Sequence, residues 1–136
     1  NQSGVARGYI SEDQLLGIHK ALVAMLADKK ASVQGIYYSP YHPDGKGDYR
    51  RNSTCRKPDP GMLLAASDEF AINLSDSILV GDRINDIRAG RAAGTRTIMV
   101  RTGHGTKEAI LPEAQEADFI ADDLAAAVDH ILTNMG

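Results

Sequence analysis

Two short runs hold the residues whose types and spacing could do chemistry. The first is Gly81-Asp82-Arg83-Ile84-Asn85-Asp86, directly after the apolar run Ser77-Ile78-Leu79-Val80. A strand of that kind delivers Asp82 to the rim of a sheet, where α/β proteins bind their ligands. Asp86 follows one helical turn later. Carboxylates on such a rim are hard oxygen ligands suited to Mg²⁺, which takes one or two from protein and completes its shell with water and phosphate. Spacing alone fits equally well with Asp82 as a cap of the next helix and Asp86 as a solvated charge, and for Asp86 helix capping and support of a neighbouring group stay equally open. The second run is Arg56-Lys57-Pro58-Asp59-Pro60-Gly61. Two cations just ahead of a helix N-terminus make a natural anion site, because free backbone N–H groups and the helix dipole add to their charge. Taken by itself, a surface loop with two solvated bases accounts for this run more simply.

The elements that must position these residues can be read from periodicity and capping. Ser11-Glu12-Asp13-Gln14 matches a capping box. Leu15, Ile18, Leu22, Met25 and Leu26 then recur at helical spacing, which predicts an amphipathic helix over about 12–30. Gly35-Ile36-Tyr37-Tyr38 reads as a short strand, followed by a polar loop from Ser39 to about Cys55. Asp59 and Pro60 predict a helix start, with Asp59 capping and Pro60 in the first helical position. Met62, Leu63, Ala66 and Phe70 mark its expected buried face. Strands are expected at Ser77–Val80, Thr97–Val100 and Phe119–Ala121. Helices are expected from Asp86 to Ala93, closed by Gly94, and from Leu124 to about Met135. Strands alternating with helices imply a parallel α/β sheet.

Composition excludes some partners. A formal charge of −3 leaves no electrostatic footprint for nucleic acid. No apolar run approaches the roughly 20 residues that span a bilayer. The single cysteine, Cys55, forbids an internal disulfide and suits a reducing, cytoplasmic setting. His19, His104 and His130 have no partners at metal or triad spacing and read as surface or packing residues.

Together the two runs are more specific than either alone. K-P-x-P followed by an apolar strand and G-D-x-x-x-D resembles motifs III and IV of phosphatases in the haloacid dehalogenase (HAD) superfamily. Asn1-Gln2-Ser3-Gly4-Val5-Ala6-Arg7-Gly8 resembles the segment after that family's motif II strand. With G-I-Y-Y, C-R-K-P-D-P-G-M-L and V-G-D, the likeness narrows to the histidinol-phosphatase and heptose-bisphosphatase branch and runs over nearly the whole chain. The resemblance implies a three-layer HAD-like Rossmannoid parallel sheet in one domain over 1–136. It implies a Mg²⁺-dependent phosphatase acting on a small phosphorylated sugar through an aspartyl-phosphate. Asp82 would be the Mg²⁺ ligand, and Lys57 would neutralise the phosphoryl group. Arg56 would recognise substrate, Asn1, Gln2 and Ser3 would touch it, and Arg83 would sit beside metal and phosphate. A histidinol-phosphate phosphatase is the alternative within the branch. A non-catalytic, receiver-like phosphate-binding module is the alternative outside it.

Two departures from the family pattern matter. Motif I, D-x-D-G-T, supplies the attacking and proton-donating carboxylates, yet no D-x-D occurs here, and Asp44-Gly45 lies in the loop. With Asn1 in place of Met, the expectation is an N-terminally incomplete domain lacking two central strands. Residues 1–136 alone should then be inactive, with strands at Ile36 and Leu79 flanking a gap. Many relatives also hold a structural Zn²⁺ with a C-x-H…C-x-C set. The matching positions are Ser39, Tyr41, Ser53 and Cys55, so no zinc is expected, even with His42 nearby. Oligomeric state is not legible.

Overall fold

A computed structural model describes residues 1–134, in two compact units, Asn1–Arg56 and Lys57–Gly136. The expected helix end at Met135 lies outside the described residues.

In the first unit, Ser3–Arg7 forms a short helix, α1, and Glu12–Asp28 forms α2. The capping box closes as expected. The Ser11 hydroxyl accepts from the Gln14 N–H at 3.1 Å, and the Ser11 N–H donates to Gln14 Oε1 at 2.8 Å. The apolar stripe fares differently. Leu15 is buried, whereas Ile18, Leu22 and Met25 are 58%, 45% and 68% exposed. Helical period encodes a face but not the surface that covers it, and among the described residues none covers this one. The expected strand at Gly35–Tyr38 does not form. Its residues have β propensity, but a strand exists only by pairing with a neighbour. The loop that follows is instead tied to α2 by one carboxylate. Tyr38 and Tyr49 donate their hydroxyls to Glu12 Oε1 and Oε2 at 2.7 and 2.8 Å.

The second unit carries the sheet. Helix α3 spans Gly61–Phe70, β1 Ile78–Gly81, α4 Ile84–Ala93, β2 Arg96–Val100, α5 Gly105–Glu108, β3 Phe119–Ala121 and α6 Leu124–Asn134. The strands are parallel in the order β1-β2-β3, with Leu79 opposite Thr97 and Met99 opposite Ile120. This is the expected α/β class. Strand alternation then builds three layers. Met99 faces Ile87, Ala109 and Ala114 on one side of the sheet. Ile98, Val100 and Ala121 face Ala127 of α6 on the other.

Two helix starts and one buried position differ from expectation. Helix α3 begins at Gly61 with Pro60 as its N-cap residue, so Asp59 does not cap it. Phe70, expected in its buried face, is 39% exposed. Helix α4 begins two residues before Asp86, because Asp86 serves its N-terminus from the third helical position. No helix among the described residues is long and apolar enough to cross a membrane.

Two outcomes follow from this packing. Ile87 is fully buried between helix and sheet. Ile87→Ala should cost about 2–5 kcal/mol in urea unfolding. Its neighbour Arg88 makes an exposed pair with Glu116, so Arg88→Ala should lower stability far less than Ile87→Ala. The second outcome concerns the loop anchor. Hydrogen bonding to Glu12 and partial burial push Tyr38 up to about 12 from 10.0. Tyr38's contribution is therefore fully present below pH 10 and lost as pH rises through about 12. The same carboxylate raises Tyr49, so near-UV difference titration should show two phenols ionising late, and Glu12→Gln should bring both back toward the ordinary value.

Candidate functional site

The apolar strand β1 ends at Gly81, and the next residue, Asp82, stands at the carboxyl end of the sheet. Its carboxylate does not cap α4. Instead Asp82 Oδ2 accepts the backbone N–H of His104 at 2.8 Å, in the turn that follows β2. One oxygen is thereby fixed, and a carboxylate so placed could hold a cation with the other. A single oriented carboxylate on the sheet rim fits the modest protein share of a Mg²⁺ shell. Among the described residues, no three His, Cys, Asp or Glu side chains converge as a metal cluster.

Asp86 is the buried acid of the site, with its side chain 9% exposed. It works in two directions. Asp86 Oδ2 accepts the Arg83 N–H at 3.1 Å, closing the first turn of α4. Asp86 Oδ1 pairs with the Lys57 ammonium at 2.5 Å. The two roles weighed from sequence, helix end and support for a neighbouring group, are thus held by one side chain. Its position depends on Gly81. A Cβ at Gly81 would collide with Asp86 Cβ, Cγ and Oδ2, so only glycine lets the acid lie against the end of β1. The peptide bond between Lys57 and Pro58 is cis.

Arg83, the residue after Asp82, is exposed at the surface. Its guanidinium lies 2.7 Å from the His104 ring and 3.7 Å from Glu108. Glu108 in turn accepts the Ile84 N–H at 2.7 Å. From its side chain, His104 reads as a surface or packing residue, and it is exposed. Its contribution to the site comes through its main chain, which residue type does not reveal. The turn signal Thr102-Gly103-His104-Gly105 after a buried strand was the available clue. His19 and His130 do pack, against Tyr38 and Phe119.

In the first unit, the Arg56 guanidinium donates to the Tyr41 carbonyl at 3.2 Å. Burial, then repulsion from Arg7, lowers its pKa. Gln2 donates its N–H to the Ser39 carbonyl at 2.8 Å, and Ser3 opens α1. Asn1 precedes them, exposed at the surface. The positions matching the zinc set carry other interactions. Arg51 lies 3.9 Å over the Tyr41 ring, and the Cys55 N–H bonds to Ser53 Oγ. His42 receives the Asp44 N–H on Nδ1.

Comparison with known proteins agrees with this geometry. A family model described as HAD-hydrolase-like matches residues 54–127, more than half of the chain and both chemical runs. A Pasteurella multocida protein, D-glycero-beta-D-manno-heptose-1,7-bisphosphate 7-phosphatase, is 42% identical over 92% of this chain and 67% of its own. The Haemophilus influenzae protein of the same name is 44% identical over 90% of this chain and 63% of its own. The chain therefore spans about two-thirds of the length of these relatives. The crystal structure of D,D-heptose 1,7-bisphosphate phosphatase from B. bronchiseptica, complexed with magnesium and phosphate, superposes with TM-score 0.82 at 33% identity. That match covers 97% of this chain and 70% of the other. With the strand-end Asp82, the Lys57–Asp86 pair and these matches in agreement, the chain belongs to the HAD-hydrolase-like family.

Proposed function

We propose that the protein containing this chain is a Mg²⁺-dependent phosphomonoesterase that removes the 7-phosphate of D-glycero-D-manno-heptose 1,7-bisphosphate. The observation that carries the reading is the pairing of Lys57 with Asp86 at the strand end that presents Asp82. Anion-neutralising cation and metal-binding carboxylate are both anchored to the last residues of β1. The named activity of the relatives supports the substrate.

Phosphoryl transfer rests mainly on positioning and on neutralising charge around the phosphorus atom. Lys57 supplies a cation to the phosphoryl oxygens, and Asp86 keeps its flexible stem in one place. Asp82 is the residue that would hold Mg²⁺, which when bound supplies further positive charge beside the phosphate. Arg83, Arg56, Asn1, Gln2 and Ser3 are assigned to substrate recognition. Residues 1–136 contain no D-x-D pair. The carboxylate that attacks phosphorus, forming an aspartyl-phosphate, lies outside them in this reading. Residues 1–136 are taken as part of one phosphatase domain. The partner is a small phosphorylated sugar rather than nucleic acid or membrane, and the single cysteine suits a cytoplasmic setting.

Kinetics of the full-length protein test these roles. Lys57→Ala should lower kcat by roughly 10²-fold or more, as loss of transition-state charge stabilisation does. Asp82→Asn should abolish Mg²⁺-dependent turnover at ordinary Mg²⁺. Arg56→Ala should raise KM more than it lowers kcat. A Lys57→Ala enzyme equal to the parent would remove Lys57 from the chemistry. The substrate is tested separately with a panel of phosphate esters. The expected ranking by kcat/KM places heptose 1,7-bisphosphate above histidinol phosphate, and the reverse ranking moves the enzyme to the other member of its branch.

A further inference from the structure

The turn after β2 is built to a tighter specification than a connection needs. Gly103 adopts φ +59°, and a Cβ there would strike Asp82 Oδ2. Gly105 is buried, and a Cβ on it would strike the Val100 carbonyl. The Gly105 N–H closes the turn on the Thr102 carbonyl at 2.9 Å. Thr106 Oγ1 donates to the Arg101 carbonyl at 3.1 Å. The Lys107 and Glu108 N–H groups bond to the His104 carbonyl. Glu108 then reaches the Ile84 N–H. The turn is thus pinned to the end of β2 and to the start of α4. Between those two anchors it aims one donor, the His104 N–H, at Asp82 Oδ2.

We propose that His104 is a positioning residue acting through its backbone N–H: by holding Asp82 Oδ2, it turns the carboxylate so that Oδ1 meets the divalent cation. The proposal rests on the assignment of Asp82 as metal ligand. A carboxylate on a strand end rotates about two side-chain bonds, and one charge-assisted hydrogen bond from rigid main chain selects its plane. Groups that orient a metal's ligands in this way are worth roughly 10–100-fold in metal affinity. The imidazole takes no part in this contact. It lies against Arg83, on the exposed side of the turn.

That separation of ring from backbone makes the test selective. His104 has φ −69°, which proline adopts without strain. His104→Pro deletes the donor and sets its ring Cδ where the N–H pointed, displacing Asp82 Oδ2, while His104→Ala deletes the ring and keeps the donor. In the full-length protein, Mg²⁺ affinity is measured by calorimetry, beside the unfolding temperature of the metal-free protein. His104→Pro should weaken Mg²⁺ binding about 10–100-fold relative to His104→Ala. Equal Mg²⁺ affinity in the two variants overturns the proposal. Asp82→Asn separates it from the reading beneath it. If that variant binds Mg²⁺ as the parent does, the metal assignment itself fails. If Asp82→Asn loses Mg²⁺ while His104→Pro keeps it, only the positioning role fails. Should His104→Pro not fold, the unmodified protein still decides by amide NMR. The His104 resonance should lie downfield and move on Mg²⁺ titration in step with binding, and an indifferent resonance overturns the proposal.

Discussion

The Asp86 carboxylate is the interaction on which the rest of the site depends. A buried carboxylate is costly unless both oxygens are satisfied. Here one oxygen receives the first-turn N–H of Arg83 and the other receives the Lys57 ammonium. The first contact sets where α4 begins and hence how the backbone leaves β1 at Asp82. The second gathers a lysine from the start of the 57–136 unit to the same strand end. Removing the acid would take away the ammonium's partner at this strand end and the side-chain acceptor in the first turn of α4 at once. Gly81 makes the arrangement possible, because no other residue leaves room for the acid against the strand.

The same economy governs Asp82. Neither acid in G-D-x-x-x-D is free to rotate: Asp86 is held by a lysine and an amide, Asp82 by an amide from the neighbouring βα turn. Phosphoryl chemistry gains from charges that are already in place before the substrate arrives. Two main-chain N–H groups are well suited to that task, since backbone in a pinned turn has few ways to relax. The parallel order β1-β2-β3 brings the turn after β2 beside the end of β1, so a donor and an acceptor 22 residues apart meet without a long excursion.

Much of this was legible in sequence, and the parts that were not share a cause. Ile78–Val80, Thr97–Val100 and Phe119–Ala121 are short, largely apolar runs of the kind a covered parallel sheet takes, and they form it. The capping box at Ser11 and Gln14 depends on four neighbouring residues and closes as written. Gly35–Tyr38 fails because a strand is a relation to another strand, and its own four residues cannot specify one. The stripe on α2 fails in the same way: Ile18, Leu22 and Met25 announce a buried face, and burial needs a partner. Asp59 had the right type for a cap but the wrong place, since the helix waits until Gly61.

The site divides along the same line. Lys57, Asp82 and Asp86 stood out because their side chains carry formal charge at telling spacing. His104 was set aside because its ring had no partner at metal or triad spacing, and its ring is indeed not what reaches Asp82. A main-chain donor has no residue-type signature. What could have signalled it is the pair of glycines around it, Gly103 and Gly105, in a turn that follows a buried strand. Glycine spacing reports where backbone must come close to something, and here that something is the carboxylate at the end of the adjacent strand. In a parallel α/β sheet, a small-residue turn beside a strand-end acid is therefore worth reading as part of the acid's coordination environment, whatever side chain sits between the glycines.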